Sequence, residues 1–352
     1  MRTLQQFEKK VLSIPAITGW YLGDLGEARG KQELFTKQSP QILKVLREHA
    51  LIESAISSNR IEGVEIDQAR IGTVIFGNKL LHDRDEEEVR GYRNALKLIH
   101  EQGKSLEINE ELFLRLHYLS RAEIGDAGQY KEHESDIIEK YLDGRQRIRF
   151  KTVAVTDTPD FISKLIELWR RSLSERWIHP LIALAAFNLD FLCIHPFRDG
   201  NGRVSRLLAL LQSYQLGYEV GRYISIERLI EQHKERYYET LELSSQGWHE
   251  GKHDPWHFIN YLLYIFKLAY QEFENRVHQT ISPKGAKTAL IEAAIETMEN
   301  FTLGDLEKVN PGVSRDMIRK VLKALKEAGK VECLGRGPGA AWRKKGTTLK
   351  RG

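Results

Sequence analysis

Apolar residues recur along most of this chain at three- and four-residue spacing, the period of a helix with one buried face. Ile42, Val45, Leu46, His49, Ile52 and Ile56 follow that spacing towards Arg60. Ser39-Pro40 precedes them as an N-cap with proline at the first helical position, and Gly63 supplies the stop. The same period predicts helices over 86–102, 108–119, 158–174, 180–193, 203–216, 227–243 and 255–277. One segment departs from it. Residues 137–140 and 145–150 flank Asp143-Gly144, and Ile148 and Phe150 alternate with arginines, which is a hairpin pattern on a turn-forming pair.

After Ser282-Pro283-Lys284-Gly285 the pattern restarts, with helices expected over 286–300, 302–308 and 314–328. Residues 330–334, a glycine-rich turn over 335–339, and residues 340–343 then read as a second hairpin. Three helices and a hairpin in that length are the architecture of a winged helix-turn-helix domain. The expected organisation is an N-terminal helical region over 1–105, a central core with its following helices over 106–280, and the winged helix over 281–352.

Composition narrows the class. Hydrophobic content of 41% with 29% charge is that of a globular chain able to bury a core. The start is polar, and the most apolar stretches are short or interrupted by Asn188 and Asp190, so no membrane span is expected. Two cysteines, Cys193 and Cys333, cannot build a disulfide framework. A cytoplasmic protein is the expectation. The net charge of +4 conceals an asymmetry, because residues 281–352 hold 15 basic against 8 acidic side chains. A basic terminal domain points towards an anionic partner.

The chemistry is concentrated in His195-Pro196-Phe197-Arg198-Asp199-Gly200-Asn201-Gly202-Arg203-Val204-Ser205-Arg206. The segment joins two predicted helices, so a Gly-Asn-Gly loop feeds a helix N-terminus, where backbone N–H groups and the helix dipole favour an anion. Arg203 and Arg206, three apart in the first turn, are expected to reach the same side and complete a polyphosphate cradle. A single carboxylate beside phosphates, Asp199, is the usual protein ligand of Mg²⁺. His195 titrates near neutrality and is the natural general base. Cys193, two residues away on a helix, does not face it, which argues against a Cys–His nucleophile.

These residues resemble the Fic family, whose signature is His-Pro-Phe-x-Asp/Glu-Gly-Asn-Gly-Arg-x-x-Arg, and they match it at every fixed position. The resemblance implies an all-α Fic core with a small β-hairpin flap, ATP and Mg²⁺ as co-substrate and cofactor, and transfer of AMP to a Ser, Thr or Tyr hydroxyl of a protein, itself included. By position, His195 is implied as the base and Asp199 as the metal ligand. Gly200, Asn201 and Gly202 are implied as the anion hole, Arg203 and Arg206 as ligands of the β- and γ-phosphates, and Phe197 as a packing anchor. The flap corresponds to the hairpin around Asp143-Gly144. Gly128-Gln129-Tyr130-Lys131 resembles the family's Gly-x-Tyr/Phe-Arg stretch with Lys131 in place of arginine, and no role follows from it.

A second match lies in the N-terminal region. Ser58-Asn59-Arg60-Ile61-Glu62-Gly63 resembles the family's inhibitory motif Ser/Thr-x-x-x-Glu-Gly/Asn. A carboxylate in the last helical turn opposes the helix dipole and calls for a cationic partner. In the family that partner is the second arginine of the signature, here Arg206, whose capture by Glu62 makes ATP bind unproductively. Tyr237-Tyr238 fall where the family lines its adenine pocket, with packing on a helix face as the alternative. His117 reads as structural.

Three functions therefore stand at this stage: AMP transfer held inhibited by Glu62, the reverse removal of AMP at the same site, and DNA-binding regulation. In the last, residues 313–325 form a recognition helix and 336–343 a basic wing, with Arg315, Arg319, Lys320 and Lys323 on phosphates. Winged helices also dock proteins. The sequence leaves the target protein and a homodimer open.

Overall fold

The computed structural model describes residues 2–9, 13–38, 40–77, 81–122, 125–140, 145–281, 286–296, 298, 300–310, 313–335, 337 and 339–345. Two compact units are present, Met1–Lys37 with Leu46–Phe273, and Gln38–Val45 with Glu274–Gly352. In chain order the helices up to the second unit are α1 (Arg2–Lys9), α2 (Ala16–Gln38), α3 (Pro40–Ile61), α4 (Ile71–Phe76), α5 (Arg84–Gln102), α6 (Glu110–Ser120), α7 (Thr158–Ser174), α8 (Pro180–Ile194), α9 (Asn201–Gln215), α10 (Ile226–Gln232), α11 (Lys234–Ser245) and α12 (Trp256–Ile281). Between α6 and α7 lies an antiparallel pair, β1 (Ile137–Lys140) and β2 (Gln146–Phe150), with an irregularity between Ile137 and Ile138. The Asp143-Gly144 turn and Ser39 lie outside the described residues.

The core of the first unit is built around α8. Nearly every residue of that helix is buried, as expected for a helix that is apolar all round and opened by Pro180 at its first turn. Helices α1, α7, α9 and α11 pack on it. Asp190, the residue that interrupts the apolar run, is fully buried for a structural reason. Its carboxylate accepts the N–H groups of Thr3 and Leu4 at 2.8 and 3.0 Å, capping the start of α1, and the Trp248 indole N–H at 2.6 Å. A buried carboxylate is tolerated where donors of this kind surround it. Asn188 ties α8 to α9 through Gln212 and Ser205.

Helix α3 stops where the glycine rule puts the stop. Gly63 has φ +84° and its N–H donates to the Arg60 carbonyl, while the N–H of Glu62 donates to Asn59. Glu62 therefore sits just past the last full turn. Asp83 and Asn109 cap α5 and α6 by accepting from the N–H groups of Glu86 and Leu112.

In the second unit, α13 (Ala286–Glu296), β3 (Asn300–Thr302), α14 (Leu303–Val309), α15 (Arg315–Glu327), β4 (Val331–Cys333) and β5 (Ala341–Lys344) enclose their own core, which includes Ile291, Ile295, Phe301, Leu306, Ile318 and Leu322. The sheet is antiparallel in the order β3-β5-β4. Two expectations are corrected by the chain's own packing. The helix expected to reach 300 stops at Glu296, because Asn300–Thr302 pairs with β5 and buries Phe301 against the unit's core. The helix expected over 227–243 is broken at His233, whose φ of −117° and ψ of 32° are not helical, so it becomes α10 and α11. Helices α1, α2 and α4 lie outside the expected set. No described helix is long and apolar enough to cross a membrane.

Candidate active site

The loop from α8 to α9 holds its shape through its own side chains. His195 ends α8 in the left-handed region, φ 54° and ψ 61°, with its N–H donating to the Phe191 carbonyl. Asn201 spends its amide on one neighbour. Its Oδ1 accepts the Phe197 N–H at 2.9 Å and its Nδ2 donates to the Phe197 carbonyl at 2.8 Å. The side chain implied to line an anion hole is thus a brace, and the α9 N-terminus offers an anion its backbone N–H groups. Gly200 has φ +84°, and a side chain at Gly202 would put its Cβ 2.3 Å from the Glu62 carboxylate. Phe197 is fully buried with the His117 ring stacked on it at 3.8 Å. His117 Nδ1 accepts from the Gly128 N–H, so its Nε2–H donates to the Asp199 carbonyl at 3.0 Å. Burial holds the His117 imidazole near a pKa of about 4 and therefore neutral.

Beneath the loop lies a lattice of arginines and carboxylates centred on Glu88 of α5, which is 2% exposed. Its oxygens accept from Arg84, Arg121 and Arg203. Arg121 also donates to Asp199 at 2.6 Å. Arg203, expected beside Arg206 at the phosphates, is 1% exposed, and its guanidinium is engaged with Glu88 and Asn59.

Arg206 has different partners. Its Nε donates to Ser58 Oγ at 2.9 Å, and its Nη2 to the Ser58 carbonyl at 2.9 Å and to Glu62 Oε1 at 2.7 Å. Nη1 is buried and has no partner among the described residues. Burial opposes the charge on Arg206, and the adjacent Glu62 carboxylate more than restores it. The two motifs singled out in the sequence, 144 positions apart, therefore meet in one ion pair. The Tyr238 hydroxyl donates to the Ile61 carbonyl at 3.3 Å and holds the end of α3 beside Glu62.

A cavity of about 320 Å³ opens onto Glu62. Glu62, His195, Arg198 and Gly202 line it on the loop side, Ile137 and Arg149 from the hairpin, and Tyr237 and Tyr238 from α11. His195 Nδ1 lies 3.4 Å from the Leu192 carbonyl, which can only accept, so Nδ1 carries the hydrogen and Nε2 keeps a lone pair. Burial, reinforced by the Lys131 charge, pushes the imidazole down to about 4. Burial also raises the Cys193 thiol well above its ordinary value, so no thiolate competes as nucleophile.

Among the described residues no group of three or more His, Cys, Asp or Glu side chains could cage a metal. Asp199 is the residue expected to hold Mg²⁺. Its side chain is 52% exposed, and Oδ1 accepts one N–H, from Gly200, while Oδ2 accepts from Arg121. A carboxylate has further lone pairs, and Mg²⁺ usually takes one or two carboxylates with phosphate and water for the rest.

The fold, mostly helical with small sheets, is that of solved Fic proteins. A solved Fic family protein from Desulfovibrio desulfuricans G20 superposes with a TM-score of 0.62 over 96% of this chain and 99% of its own, at 21% identity. Residues 107–213 match the family model described as Fic/DOC family, and the chain carries a Fic domain. Relatives named protein adenylyltransferase Fic are similar in sequence. That of Aedes aegypti is 35% identical over 81 residues, 23% of this chain and 15% of the relative. That of Nematostella vectensis is 23% identical over 256 residues, 70% of this chain and 55% of the relative. The chain thus spans about half, or less, of the length of these curated relatives.

The sequence assigned no role at the site to Glu88, Arg121, Asn59 or Lys131. Glu88 belongs to the run Asp85-Glu86-Glu87-Glu88 at a helix start, which reads as a solvated acidic turn. Glu88→Ala removes the carboxylate that Arg121 and Arg203 share and leaves buried cations uncompensated. A loss of about 3–5 kcal/mol is expected in urea unfolding, with Glu88→Gln less damaging. A Glu88→Ala midpoint equal to that of the native chain would mean the lattice contributes nothing.

Proposed function

We propose that this protein is an adenylyltransferase that moves AMP from ATP to a Ser, Thr or Tyr hydroxyl of a protein, itself included, and that Glu62 holds it inhibited by occupying Arg206. The observation that carries the reading is the placement of His195. Its Nε2 has a free lone pair, its imidazole is neutral, and it lines the same cavity as Glu62 and Gly202 at the start of α9. In the proposed reaction Nε2 takes the proton of the incoming hydroxyl, whose oxygen attacks the α-phosphorus. The bond to the bridging oxygen breaks, and pyrophosphate leaves opposite the attack. The N–H groups at the start of α9 hold the phosphate oxygens, and Arg206, once free, holds the γ-phosphate. Mg²⁺ held at Asp199 would offset the negative charge of the phosphates. The hairpin supplies an edge along which a target segment can pair. The relatives, named protein adenylyltransferase Fic, support this activity at the level of the family.

The same geometry serves the reverse reaction, in which Glu62 orients a water against an AMP-modified target. Loss of AMP from a pre-modified protein would identify that direction. For the second unit we propose a winged-helix module that contacts the phosphates of duplex DNA. The observation favouring it is that Arg315, Arg319, Lys320 and Lys323 lie on the exposed face of α15, opposite the buried Ile318, Val321, Leu322 and Leu325. Arg336 lies outside the described residues.

Two outcomes test the enzyme reading. His195→Ala should lower transfer about 10²–10⁴-fold while ATP still binds, because the base acts on the hydroxyl. The pH dependence of kcat/KM has a defined sign. A base that titrates at about 4 rather than near 6.5 stays neutral as pH falls, so the rate should be flat from pH 7 to 5 and drop only below. An acid limb centred near 6.5 would contradict the buried, neutral imidazole.

Glu62→Gly should raise AMP incorporation into the protein by about tenfold or more, the worth of a charge-assisted pair. Ser58→Ala should act in the same direction but less. Adding Glu62→Gly to Arg206→Ala should give no increase, since the group to be released is gone. Mass spectrometry after incubation with ATP and Mg²⁺ reads the adduct, and equal activation without Arg206 would remove the ion pair from the account.

A further inference from the structure

His195 carries its imidazole on a left-handed backbone, a conformation that a residue with a side chain keeps only where its surroundings impose it. Lys131 bonds the carbonyls of the residues before and after it. Its ammonium Nζ donates to the Ile194 carbonyl at 3.5 Å, and its backbone N–H donates to the Pro196 carbonyl at 2.9 Å. Lys131 is itself 3% exposed and anchored, with Nζ donating to Thr152 Oγ1 at 2.8 Å. Thr152 is equally buried, donates its hydroxyl to the Ser135 carbonyl and its N–H to Asp136, and so joins the base of the hairpin. A continuous run of hydrogen bonds thus links the residues that flank β1 and β2 to the peptide that enters His195 and to the carbonyl of the residue that follows it.

We propose that Lys131 is a positioning residue of the transfer reaction, holding His195 in its left-handed conformation by gripping the carbonyls before and after it while Thr152 fixes the ammonium in place. The inference rests on the reading of His195 as general base. A lysine buried this deeply is costly, and burial indeed lowers its pKa, so a group of comparable packing without charge would be the cheaper filler. Its cation also disfavours protonation of His195, adding to the effect of burial. The position therefore acts on the base twice, through geometry and through charge, without reaching the substrate.

The test uses the full chain carrying Glu62→Gly, so that the basal rate is measurable. Adding Lys131→Met should leave ATP binding stoichiometric and the KM for ATP unchanged while kcat falls about 10²-fold, the effect expected of a misdirected catalytic group. Lys131→Arg, which keeps the cation and its donors, should recover most of that loss. Thr152→Val, which frees the ammonium but preserves shape, should lower kcat in the same direction by a smaller factor. Where Lys131→Met fails to bind ATP at full stoichiometry, Thr152→Val and Lys131→Arg decide. A Thr152→Val kcat equal to that of the Glu62→Gly parent overturns the proposal, and so does an unchanged kcat in Lys131→Met. The absence of any transfer by the parent itself, with ATP bound, would instead overturn the adenylyltransferase reading.

Discussion

A guanidinium buried to the extent of Arg206 has no neutral form to retreat to, and the interior offers it no water. It must be met by an anion. In this structure the anion is Glu62, delivered by the end of α3, and Ser58 supplies two further acceptors from the same turn. Much around the site depends on that demand. Position 202 has to be glycine for the carboxylate to approach, since a Cβ there would fall on Glu62 Oε1. The left-handed Gly63 and the Tyr238 hydroxyl fix where α3 ends, and with it where the carboxylate sits. In the proposed reaction the γ-phosphate is a second anion for the same cation, and inhibition is the competition between the two.

The remainder of the site is engineered for rigidity rather than contact. Asn201, His117 and Phe197 close the loop on itself, Glu88 ties three arginines beneath it, and Lys131 joins it to the hairpin. This division explains why a signature rich in polar residues exposes so few of them to the cavity. Arg203 and Asn201 hold the scaffold, whereas His195 and Gly202 line the cavity. Burial of His195, reinforced by the Lys131 charge, keeps the imidazole neutral, the form that can accept a proton.

Much of this was legible in the sequence, for particular reasons. Helices α5, α6 and α7 follow the apolar period, and β1 and β2 fall on the segments that flank Asp143-Gly144. Helices α1 and α2 did not, because their stability comes from partners far away in the chain: the N–H groups of Thr3 and Leu4 at the start of α1 need Asp190, and Gln32 of α2 bonds Tyr270. The break at His233 and the strand at Phe301 are likewise decided by tertiary packing. At the site, a contiguous loop could be read as a unit, and a carboxylate at a helix end announced its need for a cation. Glu88 could not be read, since four acidic residues in a row look alike until one of them is buried. Lys131 was visible only as a substitution with no assigned purpose.

Whether Arg206 is contested between Glu62 and a γ-phosphate is read most directly from the affinity of ATP relative to ADP, by calorimetry, with and without Glu62. The native chain should bind the two nucleotides nearly alike, because the proposed γ-phosphate ligand is already occupied. Glu62→Gly should prefer ATP by about tenfold or more, the worth of one charge-assisted pair. An ATP-to-ADP ratio that is the same in both proteins would contradict the competition for Arg206.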